Sequence, residues 1–226
     1  QNSVWASATP RRIYEAAAST TRMDESVSRN LVRALQAGVA ATLVFGLATQ
    51  NVSVVVNAAL GLVVTVVPAV VRRDFSLRLS PGVSVWVGAA VFLHTVGMTG
   101  PYHTVWWYDH LTHAFSAALV AAAGYTTARA LDYHREDLYF PRPFLAVFIL
   151  LVTMAFGVLW EVVEFVGREA AFATNLDPVL VQYGIGDTLL DLVFDAVGAV
   201  LVATVGARHL RPDVAALTAW LDSADD

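Results

Sequence analysis

Apolar stretches recur along the chain with short polar breaks between them, at residues 35–49, 52–71, 83–98, 105–131, 144–166 and 188–207. Runs of this kind read as membrane-crossing helices, because about 20 residues of α-helix span the hydrocarbon core of a bilayer. The first and third are short for a crossing and extend into flanking residues such as Arg33 and Leu79, whose region can reach the interface. The pattern predicts an all-α, polytopic membrane helix bundle of about six transmembrane helices. A five-helix reading would demote the first stretch and change the side of the N-terminal arginines alone.

The polar flanks divide the chain into three parts. Residues 1–30 form a polar lead, cytoplasmic or interfacial, without the basic-then-apolar order of a signal peptide. Residues 31–207 form the membrane domain, and residues 208–226 a short amphipathic tail. In that tail Val214, Leu217, Trp220 and Leu221 share a helical face, with Pro212 in the first turn, which predicts an interfacial helix.

Composition strengthens the membrane reading: 57% of the 226 residues are hydrophobic and 15% charged, against roughly 25% charged in an ordinary soluble domain. Cysteine is absent, which excludes disulfides, thiolate metal sites and thiol catalysis. All 14 basic residues are arginine and the net charge is −5, so the chain lacks the basic face that nucleic-acid binding requires.

The arginines set the orientation. Arg11, Arg12, Arg22, Arg29 and Arg33 precede or open the first span, Arg72, Arg73 and Arg78 follow the second, Arg129, Arg135 and Arg142 lie between the fourth and fifth, and Arg208 and Arg211 follow the sixth. Only Arg168, between the fifth and sixth, falls on the other side. The positive-inside rule therefore puts both termini in the cytoplasm of a multi-pass protein of the cell membrane.

Ionisable residues within spans are costly, about 2.5–3.5 kcal/mol each on insertion scales, and mark function. Here they cluster. The fourth span opens with Asp109, His110 and His113, the fifth ends with Glu161 and Glu164, and the sixth opens with Asp187, Asp191 and Asp195 at i, i+4 and i+8. His94 lies near the outer end of the third. Helix directions put all six acids in the outer half of the membrane, whereas the opposite half offers mainly Asn57, Gln36 and scattered threonines. So many carboxylates require a cation or shared protons. A divalent metal ion, Zn, Mn, Fe or Mg, suits an oxygen and nitrogen ligand set without sulfur. The expected ligands are Asp109, His113, Glu161, Glu164, Asp187 and Asp191, with Glu164 also a candidate general base and His110, Asp195 and His94 in supporting roles. Asp187 and Asp109 also suit helix capping, a role that leaves Glu161, Glu164 and Asp191 unexplained. Trp106, Trp107 and Tyr108 read as an interfacial aromatic belt.

The series Tyr108-Asp109-x-x-x-His113, Trp160-Glu161-x-x-Glu164-Phe165 and Asp187-Thr188-x-x-Asp191-x-x-x-Asp195-x-x-Gly198-Ala199 resembles the YjdF-type inner-membrane proteins of bacteria. The resemblance covers the last three spans, about half of the chain, and implies a multi-span membrane protein. Asp195 departs from the family pattern, in which a small residue or Asn is usual. The Asp-x-x-x-Asp-x-x-Gly part is similar, more loosely, to VanZ-like membrane proteins, a group associated with glycopeptide resistance.

Three functions fit these residues. The first is a metal-dependent hydrolase or transferase acting on a membrane lipid or lipid-linked substrate. The second is a cation- or proton-binding transporter, and the third an accessory subunit with a structural metal site.

Overall fold

A computed structural model describes residues 25–175, 177–180 and 182–225, and among them the secondary structure is entirely helical. Eight α-helices follow in order: α1 (Glu25–Ala48), α2 (Val52–Asp74), α3 (Pro81–Gly97), α4 (Pro101–Thr104), α5 (Tyr108–His134), α6 (Arg142–Ala173), α7 (Ile185–Thr204) and α8 (Arg211–Ala224). Proline stands in the first turn of α3, α4, α6 and α8, where its missing N–H costs nothing and its fixed φ suits helix entry. The α1–α2 turn is tight: Gln50 adopts φ 56°, and the Asn51 side chain caps α2 by accepting from the Val54 N–H at 3.1 Å.

By length and composition α1, α2 and α6 are apolar enough to cross a membrane, and α3 is a shorter apolar helix. Helices α5 and α7 have the length, 27 and 20 residues, but their ionisable residues interrupt the apolar pattern. These helices carry Asp109, His110 and His113, and Asp187, Asp191 and Asp195, while Glu161 and Glu164 lie on α6.

The first helix begins about ten residues earlier than the hydropathy break at Leu35, taking in Arg29 and Arg33. At the other end, α6 runs past Val166 to Ala173. Of the polar lead, Arg11, Arg12 and Arg22 lie outside the described residues.

α5 is the centre of the bundle, packing on α3, α6, α7 and α8. Its buried residues are mostly alanine, among them Ala117, Ala118, Ala121 and Ala122, and small side chains let helix backbones approach closely. The closest approach is to α7 at Gly198, where a Cβ would overlap the Ala114 carbonyl and lie 2.8 Å from the Ala118 nitrogen. Ile149 of α6 and Val202 of α7 complete the core around the α5 alanines. Helices α1, α2 and α3 pack on one another as a second group, joined to the first through α3 and α5.

The C-terminal segment is helical as expected, but it is docked on α5 with Asp213, Val214, Ala215 and Thr218 buried. Leu217, Trp220 and Leu221 are only half-buried. The reason is polar and tertiary: Asp213 accepts from the Ser80 N–H at 2.6 Å and the Ser80 hydroxyl at 2.9 Å, capping α3 from outside. Burial pushes the Asp213 pKa up, and the Ser80 bonds pull it back. At the same end of the bundle, His134 of α5 sits 2.7 Å from Asp222.

Candidate functional site

The site lies at the end of the bundle opposite the 75–80 and 135–141 connections. The crossing of α5 and α7 brings the Asp109 and His113 turn against the Asp191 and Asp195 strip. One ligand atom each from Asp109, His113 and Asp191 lie within 4.8 Å of one another. His113 Nε2 is 3.8 Å from Asp109 Oδ1 and 3.9 Å from Asp191 Oδ2. These separations suit three groups arranged about a shared cation better than direct hydrogen bonds, which need shorter contacts.

The surroundings orient the three. His113 Nδ1 lies 3.3 Å from Asp195 Oδ1. In the neutral ring this assigns the proton to Nδ1 and leaves the Nε2 lone pair facing Asp109 and Asp191. A carboxylate on the far nitrogen is the usual support of a metal-binding histidine. Asp195 in turn packs against α6 at Gly157, where a Cβ would collide with its Oδ2. Asp191 is 2% exposed, and its other oxygen is 3.5 Å from His110 Nδ1. The His110 ring stacks on Phe194 at 4.7 Å. His110 and Asp195 thus lie beside Asp191 and His113 respectively.

The other expected residues surround the cluster, Asp187 and Glu161 with hydrogen-bond partners of their own. Asp187 accepts from the Tyr183 backbone N–H at 3.0 Å, a local bond at the start of α7. Glu161, 5% exposed, accepts from the Thr188 hydroxyl at 2.7 Å, while its Oε1 is buried with no hydrogen-bond partner. Glu164 turns toward a cavity that Asp109, His113 and Asp195 also line. Arg168, the basic residue nearest in sequence to these acids, binds Glu169 at 3.3 Å and the Gln182 carbonyl at 3.2 Å.

His94 stands apart from the cluster and connects it to the loops. Asn57 spends its amide on the Ser53 and Val179 carbonyls, at 2.9 and 2.8 Å, so its Oδ1 accepts from His94 Nε2 at 3.0 Å. His94 Nδ1 is 3.0 Å from the Tyr102 hydroxyl. That hydroxyl is 3.4 Å from Thr112 Oγ1, and Thr112 donates to the Asp109 carbonyl at 2.8 Å. Asn57 therefore belongs to the acidic end, because α2 starts there, and the expectation that it lies in the opposite half is corrected. Tyr102 has no signature in the sequence, since a lone hydroxyl residue carries no pattern, and Thr188 stands in the Asp187-Thr188-x-x-Asp191 series with nothing there to predict that its hydroxyl meets Glu161.

The cavity has a volume of about 1030 Å³ and lies between α2, α3, α5 and α6. It is polar near Asp109, His113, Glu164 and His94, and apolar further in, around Val87, Val120 and Val64.

An all-helical membrane protein with a buried histidine and carboxylate cluster beside an apolar cavity is the class that fold and site define. The chain belongs to the family described as "Predicted membrane protein (DUF2238)", whose model matches residues 31–212. It is also similar to a protein of Thermotoga maritima named "Uncharacterized protein", at 27% identity over 128 residues, or 54% of this chain and 60% of that relative. The chain thus spans less than two thirds of the relative's length. No solved structure matches.

Proposed function

We propose that this chain is a YjdF-type membrane enzyme, a metal-dependent hydrolase or transferase acting on a lipid or lipid-linked substrate. In this reading α1, α2, α3, α5, α6 and α7 cross the bilayer, both termini are cytoplasmic, and the site opens in the outer half. In this topology all but one of the 14 arginines of the sequence lie on the side opposite the six acids of the last three spans, and the Ser80 to Asp213 and His134 to Asp222 contacts gather arginine-bearing segments at one end.

The observation that carries the reading is His113, flanked by Asp109 and Asp191 at Nε2 and oriented by Asp195 at Nδ1. Asp109, His113 and Asp191 would hold a divalent cation. Glu161 Oε1, buried without a hydrogen-bond partner, is a further oxygen that a nearby cation would satisfy. When bound, such an ion supplies Lewis acidity and a water of lowered pKa. Glu164, on the cavity wall, is placed to take a proton from a group delivered through the cavity, and Asp195 holds the His113 ring in its ligand tautomer. A conduit is less well supported, since the cavity's polar lining gives way to valines near mid-bundle.

Elemental analysis of the purified protein tests this. About one divalent ion per chain is expected in the wild type, with loss in His113→Gln and Asp191→Asn while helicity is retained. A metal-free wild type whose stability is unchanged by Asp191→Asn overturns it.

A further inference from the structure

The cavity has a roof, a floor and an open side. The roof is formed by Asp177, Val179, Leu180 and Tyr183, which stand between α6 and α7 and line the cavity. It is tied down across α2, where the Ser53 hydroxyl and Asn57 amide donate to the Val179 carbonyl at 2.7 and 2.8 Å. Tyr183 Oη is also 2.6 Å from His103 Nδ1. Toward the middle of the bundle the lining ends at Val64, Val87, Val120 and Thr153.

The side between α2 and α6 is open. α2 packs on α1 and α3, and α6 on α5 and α7, so the two face each other across the cavity. Leu60 and Val63 of α2, and Phe156 and Val163 of α6, line it and yet are 61, 66, 56 and 44% exposed. Pro68, within α2, lacks the N–H that would bond the Val64 carbonyl, so the helix is one hydrogen bond short beside this opening.

Depth matches one leaflet. From Asp109 to Val120 α5 rises about 16 Å at 1.5 Å per residue, close to half of a hydrocarbon core about 30 Å thick. The volume, about 1030 Å³, stands at the upper end of ligand pockets, roughly 300–1,000 Å³.

We infer that the cavity holds the hydrocarbon chain of a membrane lipid, which enters sideways between α2 and α6 with its polar end beside Asp109, His113 and Glu164. The roof turns away water-borne ligands and the apolar depth takes the chain, so the substrate comes from the bilayer. The inference rests on the lipid-handling part of the proposed function and is independent of the metal.

The test uses the full chain in vesicles of phosphatidylcholine bearing a diazirine at the end of one acyl chain, with photolabelled residues mapped by mass spectrometry. Ser116 and Val120 belong to the central helix and line the cavity, whereas Val200 and Leu201 of α7 are exposed on the outside of the bundle. Label on Ser116 and Val120 is expected, at a level comparable to Val200 or above it. It should persist in Asp191→Asn and fall at least severalfold at Val120 in Ser116→Trp, whose larger side chain occupies the cavity one helical turn from Val120. Label confined to outer faces such as Val200 and Leu201 overturns the inference. A labelled cavity in metal-free protein removes the metal reading alone, and a metal-loaded protein with an unlabelled cavity removes the lipid inference alone.

Discussion

Asp195 lies on the far side of the His113 ring from Asp109 and Asp191. In the neutral ring of His113 the Asp195 carboxylate favours the proton at Nδ1, and it can sit there because Gly157 leaves space on α6. Asp195→Ala is therefore expected to weaken metal affinity about 10- to 100-fold, the usual effect of losing such a supporting partner. Titration of the metal-stripped protein with Zn or Mn measures this, and an unchanged affinity would mean that Asp195 does not orient His113. Glu161 and Glu164 illustrate the limit of spacing arguments. An i, i+3 pair is separated by about 60° around a helix of 3.6 residues per turn, which reads as one face. That angle suffices, at the seam between α6 and α7, to send Glu161 to Thr188 and Glu164 to the cavity.

At the scale of elements, the site depends on one helix crossing. Asp109 and His113 lie one turn apart on α5 and their partnership is visible in sequence. Asp191 joins them only because α7 lies almost backbone to backbone with α5 at Gly198. A leucine at that position has no free volume to enter, and overpacking typically costs about 1–3 kcal/mol. Gly198→Leu is expected to lower the thermal midpoint and also reduce metal content, because the helices that hold the ligands are pushed apart. Full metal loading in a folded Gly198→Leu protein would show that the crossing does not set the site. α8 gives a comparable lesson. Its apolar spacing suggested a surface-lying helix, yet Asp213 reaches the unsatisfied start of α3 and turns the helix onto the bundle. Sequence does not show which helix end an acidic side chain will cap.

For the whole molecule, the absence of cysteine makes topology directly measurable. Thr104, in the connection near the site, and Tyr139, between α5 and α6, are both exposed. In the proposed orientation Thr104→Cys is expected to react with an impermeant maleimide added to intact cells, and Tyr139→Cys only after the membrane is opened. The reverse pattern would invert the protein and place the acidic site on the cytoplasmic side. The sequence by itself determined that the chain is helical and membrane-embedded, where most helices begin and end, and that the acids of the last three spans gather at one end. These properties follow from local hydropathy, from proline and asparagine at helix starts, and from the cost of charge in an apolar phase, all of which act along the chain. Tertiary structure alone decided which acids meet His113 and which are spent on Thr188 or the Tyr183 backbone. It also joined Asn57, His94 and Tyr102 into one chain of hydrogen bonds, and left a cavity open between α2 and α6. Those outcomes depend on how closely and at what rotation separate helices pack, and that is set by small residues such as Gly157 and Gly198 acting across interfaces that no one segment contains.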